Sequence, residues 1–289
     1  MTVLEAIQKS TDFLGKKNVE SPRLQTELLL AHLLKMPRMK LYLNFDRALT
    51  TAETDALREL VKRRGAREPL QHITGSTNFC GHDITVNRHV LVPRPETELL
   101  AELAWNFLAG SGMPAPLVLD FCTGSGCIAI AIAAKSPSAK IIATDISPDA
   151  LALARKNADQ NQMAERIEFL PGDGFAPLLS EGRVPRVPNF DLIVSNPPYI
   201  PSAEIETLDP EVRDFDPRLA LDGGADGLDF YRRLAAEARA HLQPAGKIMV
   251  EFGDGQADAI KKLFENEKWI VEAVQEDYSQ RARVLVARR

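Results

Sequence analysis

The chain lacks most of the features that would set it apart from an ordinary water-soluble protein. Three of its 289 residues are cysteine, Cys80, Cys122 and Cys127. That is an odd number with no C-x-x-C pair, so neither a disulfide framework nor a zinc site is suggested. They are read as reduced thiols, two of them buried beside a loop described below. No apolar run approaches the roughly 20 residues needed to span a bilayer. Met1-Thr2-Val3-Leu4-Glu5 also lacks the basic and apolar regions of a secretory signal. A cytoplasmic protein with no membrane partner is expected. Excess positive charge is absent as well, and a net charge of −5 argues against a protein held mainly by nucleic-acid phosphates.

What is present is a globular composition, 45% hydrophobic and 26% charged, over a length that suits one large domain or two of ordinary size. The charge is uneven. Residues 1–70 carry thirteen Lys/Arg against nine Asp/Glu, a net of +4, which leaves −9 for the remainder of the total of −5. Two units with different partners are plausible on that ground.

The first unit reads as helical. Thr2-x-x-Glu5 and Thr50-x-x-Glu53 have the spacing of capping boxes, and Ser21-Pro22 reads as a cap followed by a first-turn proline. Helical spacing follows each signal, with Leu4, Ile7 and Leu14 in the first segment. The second carries Leu24, Leu28, Leu29 and Leu33, and the third Leu57, Leu60 and Val61. Such a bundle either packs on the rest of the chain or grips a protein partner; Lys62-Arg63-Arg64 reads as a solvated face. From Ile73 to Val92 the pattern shortens to β-like pieces, Asn78-Phe79-Cys80 and Asp83-Ile84-Thr85-Val86, around Gly81-His82, which suggests a hairpin connector. The charged segment Arg94-Pro95-Glu96-Thr97-Glu98 then precedes a helix, and reads either as that helix's start, with Thr97 as its signal, or as a lid over a ligand.

The run from Leu117 decides the ligand class. Leu117-Val118-Leu119-Asp120 is a buried-strand pattern, Phe121-Cys122-Thr123-Gly124-Ser125-Gly126 a small-residue turn, and Cys127 to Ala133 the following helix. After a second strand, Lys140 to Thr144, stands Asp145, where a carboxylate is placed to accept from ribose hydroxyls. The dinucleotide fingerprint's third glycine is missing, and no basic residue nearby would meet a phosphate. A nucleoside without phosphates, such as S-adenosyl-L-methionine, is therefore favoured over NAD. Beyond a third strand, Ile167 to Leu170, Asp173 and Gly174 fall in a turn where Asp173 either meets the adenine amino group or caps the next segment.

Asn196-Pro197-Pro198-Tyr199 follows the strand-like Phe190 to Val194 and so belongs at a strand's carboxyl end, where open α/β sheets bind ligands. Asn196 Oδ1 and the Pro197 carbonyl suit the task of accepting the two N–H bonds of a planar NH2 group, with Tyr199 as an aromatic wall. An ordinary Pro-Pro loop is the plainer reading. A helix from Leu228 to Leu242, a strand from Lys247 to Phe252, a further helix and two terminal strands, Ile270 to Val274 and Ala282 to Ala287, complete a doubly wound α/β sheet with a helical extension.

Val118 to Ile128, Asp145 and Asn196 to Tyr199 resemble the motifs of class-I S-adenosylmethionine-dependent methyltransferases that modify NH2 nitrogens. Pro93 to Glu98, Arg213-Asp214-Phe215-Asp216-Pro217-Arg218-Leu219-Ala220-Leu221 and Asp226-Gly227-Leu228 narrow the resemblance to the HemK/PrmC family, along essentially the whole chain. It implies a Rossmann-like, seven-stranded mixed sheet over residues 96–289, a hairpin connector over 73–95 and a helical substrate-recognition domain over 1–72. It also implies N5-methylation of the glutamine in the Gly-Gly-Gln motif of peptide-chain release factors, by a monomer without direct nucleic-acid contact. Cys122, Thr123, Gly124, Ser125, Gly126, Asp145, Asp173, Gly174 and Asn196 would then meet the cofactor, and Asn196, Pro197, Pro198 and Tyr199 the substrate. The sequence departs from the family at Cys122, where many relatives have glycine, and at Gly174, where some have an aromatic residue near adenine. A ribosomal-protein glutamine methyltransferase, an adenine N6 nucleic-acid methyltransferase and, from a different class, a non-catalytic binding module that retains the fold are the alternatives; intact Asp145 and Asn196 speak against the last.

Overall fold

A computed structural model describes residues 1–179 and 189–289. The chain forms two compact units, one of Met1–Ser76 with Asp209–Phe215 and the other of Thr77–Leu208 with Asp216–Arg289.

The first unit is built from α1 (Val3–Lys16), α2 (Pro22–Leu33), α3 (Arg38–Leu41), α4 (Thr51–Gly65) and α5 (Leu70–Thr74). Both expected capping boxes form. Thr2 Oγ1 accepts from the Glu5 N–H at 3.2 Å while the Glu5 carboxylate accepts from the Thr2 N–H at 3.0 Å. Thr50 and Glu53 repeat the exchange at 3.2 and 2.9 Å, so donors left open by the helix ladder are satisfied. Ser21 does not cap, contrary to the sequence reading. Its φ of 47° is left-handed and its hydroxyl makes no cap bond, so Pro22 alone shapes the start of α2. The buried face of α2 is also turned from the expected stripe, with Leu29 and Leu30 fully buried and Leu24 exposed. The reason is that α2 packs against both α1 and α4, and two neighbours select a face that a single stripe does not define. Val3, Ile7, Leu14, Leu57 and Val61 close this core, each large side chain contributing about 2 kcal/mol by leaving water.

The second unit opens with a hairpin of β1 (Ser76–Phe79) and β2 (His82–Thr85). Cys80 and Gly81 form its turn at φ 50° and 84°, the positive pair that two-residue hairpin turns require. Next come α6 (Thr97–Ser111), β3 (Leu117–Phe121), α7 (Cys127–Lys135), β4 (Lys140–Asp145), α8 (Pro148–Gln160), β5 (Ile167–Pro171) and β6 (Phe190–Ser195). The short α9 (Pro210–Arg213) belongs to the first unit, where Glu211 accepts from Arg64 Nη2 at 2.9 Å and Arg67 Nε at 2.6 Å. The chain then adds α10 (Asp229–Glu237), β7 (Leu242–Glu251), α11 (Ala257–Asn266), β8 (Ile270–Glu276) and β9 (Ala282–Arg288).

Seven strands form one mixed sheet in the order β5-β4-β3-β6-β7-β9-β8. The first five are mutually parallel, and β9 runs antiparallel to β7 and β8. Alternation along the strands feeds two core layers: Val118, Ile141, Leu192 and Val194 pack with α6, α7 and α8, and Leu119, Ile142, Ile193 and Val250 with α10 and α11. The order reverses between β3 and β6, which opens the crevice where doubly wound sheets hold ligands. Phe121 pairs with Thr144 on one side and Ser195 on the other. The residues that follow, Cys122, Asp145 and Asn196, therefore emerge together at that crevice.

Candidate active site

The turn after β3 is braced from below by an acid that the sequence reading treated only as part of a strand. Asp120 is fully buried; its Oδ2 accepts from Thr123 Oγ1 at 2.6 Å and from the Ala129 N–H at 3.2 Å. Burial pushes its carboxyl up to about 7 against those two bonds. The available sequence signal was a lone acid at the end of an apolar strand. Across the turn, the Thr123 N–H donates to the Thr144 carbonyl at 3.0 Å, which ties β3's loop to β4. Gly124 has φ 55°, and a Cβ there would meet nothing within 4 Å, so its backbone faces open space. Cys122 also sits at positive φ, 62°. A left-handed residue of this kind favours glycine, so the family pattern that the resemblance implies at 122 has a backbone reason.

Asp145, at the end of β4, accepts from the Gly124 N–H through Oδ2 and from the Ser147 N–H through Oδ1, both at 2.9 Å. Its carboxyl is raised by burial and lowered by these bonds, with burial prevailing. Asp173, in the turn after β5, meets Arg233 of α10 at 2.5 Å. A Cβ at 174 would require the Arg233 side chain to shift, and φ there is 61°, so glycine is the residue that fits this turn without strain.

Asn196, one residue past β6, donates from Nδ2 to Thr97 Oγ1 at 3.2 Å. Thr97 is the first residue of α6, as its helix-start reading implies; Glu96 at the cap position makes no side-chain cap bond, and the Thr97 hydroxyl accepts from Asn196. Ser195 Oγ donates to the Phe121 carbonyl at 2.7 Å, binding β6 to β3 directly beneath the site. The Tyr199 carbonyl accepts from Gln256 Nε2 at 2.9 Å, and Gln256 Oε1 accepts from the Gly253 N–H at 2.9 Å. The Tyr199 ring lies so close to Gly253 that a Cβ there would approach its Cδ2 to 2.9 Å. Burial pushes the Tyr199 hydroxyl up to about 12, with Glu251 and Glu96 adding to the shift. Arg94 Nη2 donates to Asp216 Oδ2 at 2.8 Å, joining two charged segments 122 positions apart.

Among the described residues, one cavity gathers most of the expected set. Cys122, Thr123, Gly124, Ser125, Asp145, Asp173, Gly174, Asn196 and Pro198 line it, with Arg94, Thr97 and Phe230. Gly126, Pro197 and Tyr199 stand outside that lining. Gly126 lies where α7 begins, Pro197 is buried, and Tyr199 packs into the α10–α11 core layer. The donor set fits S-adenosyl-L-methionine. An open glycine backbone and a carboxylate stand together at the switch point, and the basic side chains in the lining, Arg94 and His89, lie against Asp216 and Asp149.

Comparison with known proteins bears on the whole chain. Residues 5–75 match the family described as the PrmC N-terminal domain, and residues 101–208 match the methyltransferase small domain. A release factor glutamine methyltransferase of Geobacter sulfurreducens is 45% identical, covering 91% of this chain and 88% of that protein. One from Chlorobaculum tepidum is 42% identical over 89% and 87%. Among solved structures, a methyltransferase from Pyrococcus furiosus superimposes with a TM-score of 0.50 at 21% identity, covering 72% of this chain and 89% of that one, a likeness of fold alone. With a helical unit and a methyltransferase sheet in this order, and relatives of this identity over nearly its full length, the chain belongs to the release factor glutamine methyltransferase family.

Proposed function

We propose that this protein methylates N5 of the glutamine in the Gly-Gly-Gln motif of peptide-chain release factors, with S-adenosyl-L-methionine as donor, and that it works in the cytoplasm as a monomer without direct nucleic-acid contact. The observation that carries the reading is the Asn196 amide, which enters the cavity shared with the Gly124 turn and Asp145 while its Nδ2 is committed to Thr97.

The bound donor supplies an already activated sulfonium methyl. The chain's own residues supply position. Asp145 and the Thr123 to Ser125 backbone hold the nucleoside end, while Asn196 Oδ1 and the Pro197 carbonyl accept the two N–H bonds of the glutamine amide. Pro197 is followed by Pro198, which has no N–H to compete for an acceptor. Gripping both N–H bonds orients a weak nucleophile whose lone pair is delocalised, and orientation of this kind supplies much of an enzymatic acceleration. Pro198 shapes the wall beside the amide, with Tyr199 packed behind it. No side chain is needed as a dedicated base, since the amide proton leaves during or after attack.

Incubation with labelled S-adenosyl-L-methionine and a release factor tests the reading. Label is expected in the wild-type factor and not in a variant whose Gly-Gly-Gln glutamine is replaced. Equal label in both would refute the site of modification.

A further inference from the structure

Glu251 ends β7 and is buried to 1% exposure, yet it does not line the cavity. Ser195 pairs with Val250, so Asn196 and Glu251 follow side by side at the carboxyl ends of neighbouring parallel strands. The backbone at Glu251 is pinned by Tyr231, whose Oη donates to its carbonyl at 2.8 Å. Thr97 Oγ1 accepts from Asn196 Nδ2 at 3.2 Å, and both side chains neighbour the Glu251 carboxyl and lower its proton affinity. Three side chains from α6, β6 and β7 thus meet behind the cavity wall.

An asparagine amide has two N–H donors and one carbonyl oxygen. With Nδ2 committed to Thr97 and the Glu251 carboxyl beside it, the oxygen is the group left for a ligand. Rotated by half a turn, the amide would turn its oxygen away from the cavity and present an NH2 to the substrate, which cannot hold another NH2. We propose that Glu251 is a positioning residue for methyl transfer, holding the Asn196 amide together with Thr97 in the one orientation that leaves Oδ1 free to accept from the substrate amide. This rests on the reading of Asn196 as the substrate's acceptor.

The fold keeps Glu251 at a cost. Among the described residues its Oε2 finds no hydrogen-bond partner. Burial pushes its carboxyl up to about 8, Glu96 adds to the shift, and Thr97, Arg283 and Asn196 oppose it. A buried acid that weakens the fold beside a reactive cavity is the signature of a group retained for function.

Three variants test this in the full-length protein: Glu251→Leu, which removes the acceptor at similar volume, Glu251→Gln, which keeps one acceptor oxygen, and Asn196→Ala. Glu251→Leu removes a buried acid but also an acceptor for its neighbours, so its urea midpoint is expected close to that of wild type. It should bind S-adenosyl-L-methionine within about threefold of wild type and lose about 30-fold or more in kcat on the release factor. Glu251→Gln should recover most of that kcat. Asn196→Ala should lose kcat as severely as Glu251→Leu. Glu251→Leu with wild-type kcat, beside an inactive Asn196→Ala, overturns the role of Glu251 and leaves Asn196 in place. A kcat loss in Glu251→Leu that Glu251→Gln does not recover, together with weakened S-adenosyl-L-methionine binding, overturns it in favour of a structural acid. An active Asn196→Ala removes the reading of the site and this proposal together.

Discussion

Asp145 Oδ2 accepts the Gly124 N–H at 2.9 Å, so the acid at the end of one strand and the glycine turn at the end of its neighbour form one hydrogen-bonded unit. Removing the carboxylate therefore does two things: it deletes the acceptor proposed for the ribose and frees the turn. Asp145→Ala is expected to weaken S-adenosyl-L-methionine binding by about 1.5–3 kcal/mol, roughly 10- to 100-fold, as befits the loss of bonds to a charged acceptor. Asp145→Asn, with one acceptor oxygen left, should fall between. Calorimetric titration checks the order.

Gln256 braces the other half of the site. Its Nε2 donates to the Tyr199 carbonyl and its Oε1 accepts from Gly253, so a single side chain links the Pro-Pro loop to the turn after β7. Gln256→Leu leaves both groups without a partner, at about 1–3 kcal/mol in total. The expected outcome is a KM for the release factor raised about tenfold with cofactor affinity unchanged. Steady-state kinetics with each substrate varied in turn decides it.

Cys122 is held at φ 62°, a left-handed conformation that a β-branched side chain tolerates poorly. Cys122→Val should lower stability by about 1–2 kcal/mol, whereas Cys122→Gly, which accepts that φ freely, should not. Urea unfolding of the two variants against wild type measures the difference.

Stability should fall as pH rises from about 4 to about 8. Burial raises Asp216 from 3.8 to about 6, Asp120 from 3.8 to about 7 and Glu251 from 4.5 to about 8. Between its unfolded and folded values each group binds more protons in the native state than in the unfolded one, so raising the pH through that window favours unfolding. The slope is on the order of 1 kcal/mol per pH unit for each group. Unfolding midpoints at pH 5, 6.5 and 8 should decline in that order, and Glu251→Leu should flatten the step from 6.5 to 8.

Short-range chemistry was legible without coordinates. The capping boxes at Thr2 and Thr50 lie within four consecutive residues, and the Gly124 turn with Asp145 spans a single βα unit, so spacing alone carries the signal. Ser21 was misread because nothing local shows that the chain enters α2 through a left-handed residue, and the α2 stripe was misread because its buried face depends on two other helices. Gly126, Pro197 and Tyr199 belong to the motifs but not to the cavity lining. Motif membership follows the chain, and exposure to a cavity follows packing.

By itself the sequence determined the elements, the cofactor turn and the tetrapeptide proposed to grip an NH2 group, because backbone periodicity, turn geometry and amide chemistry are set by neighbouring residues. Tertiary structure alone decided what those parts touch. The register of β3, β4 and β6 brings Cys122, Asp145 and Asn196 to one crevice. Arg94 finds Asp216 across 122 positions. Asn196 finds Thr97 from α6 and Glu251 from β7. Contacts at such separations exist only once the sheet has ordered its strands, and they orient the amide that the sequence could merely name.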